Sequence, residues 1–149
     1  EAVARSLTGH ARLTVATNNI HAVLALRSAQ DISLLLAGGK VRLRDLDLIG
    51  AESAEFFAGL RLEYTIFSVG GLSTAGDLLD FNLDEIRARK AIAAAGQQRI
   101  LVIDHAKIGR PAPHAWGRLQ EIDLVVCGGI LPPELKADAT ARGAQVIEV

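Results

Sequence analysis

Residues 100–107, ILVIDHAK, run from a continuous apolar stretch straight into the charged turn Asp104-His105-Ala106-Lys107, which closes at Gly109. Four more stretches follow the same plan: LTVATNN (13–19), SLLLAGG (33–39), TIFSVGG (65–71) and LVVCGG (124–129). Apolar runs without alternation read as strands covered on both faces, as in a parallel sheet with helices on either side. Helical and extended patterns alternate along the whole chain, the pattern of an α/β domain. Ligands of such sheets bind beyond the carboxyl ends of the strands, where the βα loops gather. The function is therefore expected at Thr17-Asn18, Gly38-Gly39, Gly70-Gly71 and the 104–107 turn.

Working outward, residues 18–29 and 51–60 read as helices. Segment 40–50, KVRLRDLDLIG, imperfectly alternates apolar and charged residues, as an exposed ribbon or arm would. The stretch 70–77, GGLSTAGD, reads as a Gly-rich loop. Asn82 with Glu85 three positions on forms a capping-box pattern for a helix running to about Ala95. The segment after Gly109, interrupted by Pro111 and Pro113, reads as irregular. Pro132-Pro133 opens a last helix, and residues 144–149 read as a final strand.

Composition narrows the function. A chain of 149 residues supports one domain, and 16 basic against 17 acidic residues is not the charge of a nucleic-acid-binding domain. Cys127 is the single cysteine, which excludes a disulfide framework and paired-cysteine zinc sites. The histidines at 10, 21, 105 and 114 have no metal-ligand spacing, so neither metal nor cofactor is expected. No apolar run reaches membrane-span length, and residues 1–7 do not form a signal peptide, so the expected location is the cytoplasm. The opening EAVARSL is helix-like but uncapped, as in a fragment of a longer chain.

Several residues carry candidate chemistry. Lys107 can meet an anionic ligand and Asp104 can accept hydroxyl hydrogen bonds, the plain alternative being a solvated turn. The glycine pairs let backbone N–H groups approach an anion, although glycine after a strand is also ordinary turn chemistry. Thr17-Asn18 reads first as a helix cap that leaves other N–H groups free for phosphate. Glu85 and Arg89 share a helix face, where a surface ion pair is the plain reading.

The order of these motifs, TVATNN, LLLAGG, the charged ribbon with IGAESAEFF, FSVGGLSTAGDLLDFNLDEIRARKAI, LVIDHAKIGR and IDLVVCGGILPPEL, resembles the effector-sensing domain of DeoR-type bacterial transcriptional regulators over essentially all 149 residues. The resemblance implies a three-layer α/β/α fold with a mostly parallel sheet, related to ribose-phosphate isomerase, glucosamine-phosphate deaminase and the coenzyme A transferases. It implies a phosphorylated sugar or sugar-like effector held by Thr17, Asn18, Gly38, Gly39, Gly70, Gly71, Glu85, Arg89, Asp104 and Lys107. It also implies a homo-oligomer, with operator DNA bound by a separate helix-turn-helix domain upstream, beside a first phosphate-loop strand. The chain departs from the pattern in three places: Ser68-Val69-Gly70-Gly71 stands for Gly-Ala-Asp-Gly, Arg89 stands for the usual lysine, and the family's Asp-x-Gly-Thr-Thr phosphate loop and helix-turn-helix are expected upstream of Glu1. A sugar-phosphate isomerase is the alternative implied by fold kinship. A dinucleotide-binding domain is disfavoured, because no glycine fingerprint follows the first strand.

Overall fold

The computed structural model describes residues 1–149. Its strands and helices are, in chain order, α1 (Ala2–Ser6), β1 (Leu13–Thr17), α2 (Ile20–Leu26), β2 (Ile32–Leu36), β3 (Lys40–Arg42), β4 (Asp47–Ile49), α3 (Ala51–Ala58), β5 (Leu62–Phe67), β6 (Gly71–Leu72), β7 (Asp77–Asp80), α4 (Leu83–Ala95), β8 (Gly96–Asp104), β9 (His114–Arg118), β10 (Leu124–Gly128), α5 (Pro133–Thr140) and β11 (Gln145–Glu148).

Each of the quoted apolar runs contributes a strand, and all of them pair in parallel. The main sheet has four strands in the order β11-β10-β8-β5. Its register aligns Leu101 with Phe67 on one side and Val125 on the other. These residues belong to a core of 14 buried side chains that includes Leu72, Leu78, Ile103, Leu119, Cys127 and Leu135. Full burial of a Leu or Phe contributes roughly 1.5–3 kcal/mol, so this cluster holds the main sheet to α4 and α5. α/β layering and a mostly parallel sheet are thus present.

β1 and β2 pair only with each other. Both β1 and β5 therefore keep one free edge. β2 is also less covered than an apolar run suggests, with Leu35 and Leu36 substantially exposed.

Local differences from the sequence expectations have simple causes. The 70–77 stretch is not a loop throughout: it holds β6 and a tight turn over 73–76 into β7, and the two strands pair antiparallel and extend to β9. The region after Gly109 is not irregular throughout, because β9 forms immediately after Pro113, where no further proline removes a backbone donor. The helix after β1 is shorter than 18–29, and its cap is Asn19, whose side chain accepts from Ala22 N at 2.9 Å. Segment 40–50 is the antiparallel hairpin β3–β4. Leu43 at its tip and Val41 of β3 are exposed, whereas Leu48 and Ile49 of β4 are buried, so the hairpin packs on the body through β4.

Candidate functional site

The carboxyl ends of β1, β5 and β8 open into one cavity of about 730 Å³. At the strand ends its polar lining is Thr17, Asn18, Asn19, Asp47, Ser68, Glu85, Arg89, Asp104 and Lys107; Thr14, Glu63, Tyr64 and Thr65 line it further along β1 and β5, and Glu1 lines it ahead of α1. Local structure positions each. Asn82 caps α4 by accepting from Asp84 N and Glu85 N at 2.8 and 3.3 Å. The reciprocal half of the capping box is missing, because the Glu85 side chain turns into the fold and pairs with Arg42. One turn on, Arg89 forms an ion pair with Asp80 at 3.0 Å. The expected surface pair of Glu85 with Arg89 is thus replaced by two pairs on buried carboxylates, since both positions face the interior.

Asp104 ends β8 and accepts from Ala106 N at 2.8 Å, fixing the turn that carries Lys107. Gly109 closes it with a φ of +73°, which glycine adopts without strain. Lys107 does not pair with Asp104. Its Nζ donates to Ser68 Oγ at 2.9 Å, while Arg89 donates to the Ser68 backbone carbonyl. Two cations therefore converge on one residue at the end of β5. Burial depresses the Lys107 ammonium below its ordinary 10.5; Arg89 adds to the effect and Asp80 opposes it. Burial likewise raises the Glu85 carboxyl above its ordinary 4.5, against the pull of Arg89 and Arg42. Both groups are set to gain from a ligand of the right charge or hydrogen-bonding pattern.

The hairpin is tied to the same site. Arg42 pairs with both Asp45 and Glu85. Asn19 donates to the Asp45 carbonyl at 3.1 Å and to the Asp47 carboxylate. Asn18 donates to the Leu48 carbonyl at 3.0 Å, and Thr17 Oγ1 accepts from Asn19 N at 3.1 Å. Asp45, Asp47 and Glu85 bring ligand atoms within 4.8 Å of one another. The guanidinium of Arg42 already occupies this carboxylate group as its counter-charge.

The glycine pairs lie outside the cavity lining. Gly39 packs on the hairpin, where an added Cβ would stand 2.7 Å from the Ile49 carbonyl oxygen. Gly38 has open space around it, and Gly71 is pressed against the Arg110 backbone. Gly70 lies against Asp80 and Phe81. Asp80, Arg42, Ser68 and Asn19 join the site without having been expected there from the sequence. Of these only Asp80 had a local signal: it shares a strand face with the buried Leu78, and a carboxylate on a buried face is rarely idle.

The family model of the DeoR C terminal sensor domain matches residues 1–128. The chain belongs to this family. It is 36% identical over 125 residues to the glycerol-3-phosphate regulon repressor of Escherichia coli, covering 84% of this chain and 50% of that protein. The corresponding repressor of Haemophilus influenzae is 33% identical over 130 residues, 87% of this chain and 51% of the relative. The HTH-type transcriptional repressor CsqR of E. coli is 28% identical over 137 residues, 92% and 52% respectively. This DeoR sensor domain spans about half the length of the curated relatives it matches. No helix in it is long and apolar enough to cross a membrane.

Proposed function

We propose that this DeoR sensor domain binds a small phosphorylated polyol or sugar in the cavity and relays its presence to DNA bound by another domain of a longer, oligomeric repressor. The observation that carries the reading is the convergence of Lys107 and Arg89 on Ser68, in a cavity that Glu85 and Asp104 also line. Paired cations suit a phosphate, and carboxylates suit hydroxyls. The glycerol-3-phosphate regulon repressors among the relatives make glycerol 3-phosphate the first compound to try. Thr17 and Asn18 bound the cavity from β1, and the glycine pairs support the loops around it.

The free edges of β1 and β5 line one cavity together with Ala2, Val3 and Ala4. We read this slot as the seat of one further extended strand from upstream of Glu1, which would join the two parallel sheets. The remainder of the cavity, at the strand ends, is then the effector site.

A sensor differs from an isomerase in leaving its ligand unchanged. Relay further requires the effector to prefer one of two conformations, since equal affinity shifts nothing. The hairpin is the element placed to respond, because Arg42 pairs with Glu85 inside the cavity. The test is thermal unfolding of the full-length protein with glycerol 3-phosphate, glycerol and inorganic phosphate, followed by analysis of the recovered compounds. Stabilisation by glycerol 3-phosphate, recovered intact, supports the sensor. Conversion of the compound establishes the enzyme instead, and no stabilisation by either phosphate rejects the site.

A further inference from the structure

Asp80 is the most deeply buried carboxylate of the fold, at 1% exposure. It ends β7 on the face that carries Leu78 into the core. Its Oδ2 accepts from Trp116 Nε1 at 3.2 Å and lies 3.0 Å from Arg89 Nη1. A charge in such a place is tolerated only when paired, and removing its partner costs far more than the pair contributes. The pairing has a geometric result: Arg89, fixed by Asp80, reaches the Ser68 carbonyl, and Lys107 reaches the hydroxyl of the same residue. The other side of Asp80 explains the sequence of the loop. A Cβ at Gly70 would stand 2.7 Å from Asp80 Oδ1 and 3.0 Å from the Phe81 ring. The backbone of Gly70 is not in the left-handed region, so space and not conformation excludes a side chain there.

We propose that Asp80 is a positioning residue of the effector site: it aligns Arg89 beside Lys107 as a two-cation clamp for the effector's anionic group, and occupies the space in which residue 70 would otherwise place a side chain. The carboxylate expected in the loop after β5 is thus delivered from β7. Position 70 and position 80 are alternative origins for one negative charge. Gly70 is small because Asp80 and the Phe81 ring both crowd it.

This inference rests on the sensor reading, and its test separates the two. The full-length protein and its variants are titrated calorimetrically with glycerol 3-phosphate. Asp80→Asn keeps the shape and an acceptor for Trp116 but removes the charge that orients Arg89; its dissociation constant is expected to rise about tenfold or more, as for loss of one charged hydrogen bond. Gly70→Asp alone is expected to weaken binding similarly, because two carboxylates then compete for one space. The double variant Gly70→Asp/Asp80→Ala is expected to recover to within about threefold of the unsubstituted protein, a non-additivity that independent sites do not give. A purely structural Asp80 would show no such recovery.

A second readout is the alkaline limit of binding. Lys107 faces Arg89 and Arg110, which depress its ionisation, and Asp80 and Asp104, which support it. Asp80→Asn should move the loss of affinity to lower pH, and the double variant should move it back. If the unsubstituted protein binds but Asp80→Asn binds equally well, or the double variant is no better than Gly70→Asp, the positioning role is overturned and the sensor stands. If the unsubstituted protein binds no glycerol 3-phosphate, the sensor reading and this inference fall together.

Discussion

Replacing Lys107 with Met separates what the residue does for the fold from what it does for the ligand. Methionine keeps an unbranched apolar stem of similar reach and removes the ammonium that donates to Ser68. In the folded protein burial lowers the ionisation of Lys107 below its ordinary 10.5. A group of depressed folded pKa contributes stability only above its unfolded value, lost as pH falls through the folded one. At neutral pH the charged lysine therefore costs the ligand-free fold stability, and Lys107→Met should melt no lower than the unsubstituted protein. Ligand binding should change in the opposite sense. A hydrogen bond from a charged group is worth about 1.5–3 kcal/mol, so affinity for glycerol 3-phosphate should fall about 10- to 150-fold. At a ligand concentration of about 100 times the original dissociation constant, binding adds about 2.7 kcal/mol, and after a 100-fold loss of affinity only about 0.4 kcal/mol. For a domain of this size that is a melting shift of about 5–10 °C reduced to about 1–2 °C. Fluorescence of the sole tryptophan, Trp116, which bonds to Asp80 beside the site, reports the transition. A full ligand-induced shift retained by Lys107→Met would exclude the Lys107 ammonium from the ligand's anionic contacts.

Two further outcomes follow from the same geometry. Burial raises the Glu85 carboxyl above its ordinary 4.5, so its contribution to stability is complete below that pH and is lost as pH rises through the shifted value. Glu85→Gln should therefore melt higher than the unsubstituted protein once pH rises above about 4.5, the difference growing until pH passes the shifted value and holding constant beyond it, while binding glycerol 3-phosphate less tightly; a pH-independent difference would contradict the assignment. Hydrogen exchange should find the free-edge amides of β1 and β5 open in the 149-residue chain and protected once an extended strand seats between them, whereas amides that stay open would leave the proposed slot without its strand.

β1, β2, β5, β8 and β10 were legible because each lies in an apolar run ended by small or polar residues, although β2 and β5 are not covered on both faces: Leu35, Leu36, Tyr64 and Ile66 stay exposed. β9, with the sequence HAWGR between Pro113 and Leu119, carries neither a run nor a period and could not be read. The candidate site was legible where it follows a strand end: Thr17, Asn18, Asp104 and Lys107 all line the cavity. Glu85 and Arg89 were found on α4, but their partners were not, because Arg42 and Asp80 meet them only through the folded chain. The glycine pairs mark strand ends but pack against backbone and side chains instead of the cavity, a distinction that sequence spacing does not contain. The division of the parallel strands into β1–β2 and the main sheet was equally hidden, since apolar runs do not state which neighbour each strand takes.

The central claim, that an effector's anionic group sits on Lys107 and Arg89 at the carboxyl ends of β5 and β8, is tested most directly by a crystal structure of the full-length protein with glycerol 3-phosphate. The phosphate is expected within hydrogen-bonding distance of Lys107 Nζ and the Arg89 guanidinium, with a hydroxyl turned toward Glu85 or Asp104. Phosphate bound elsewhere, with Lys107 still donating to Ser68, would contradict that placement.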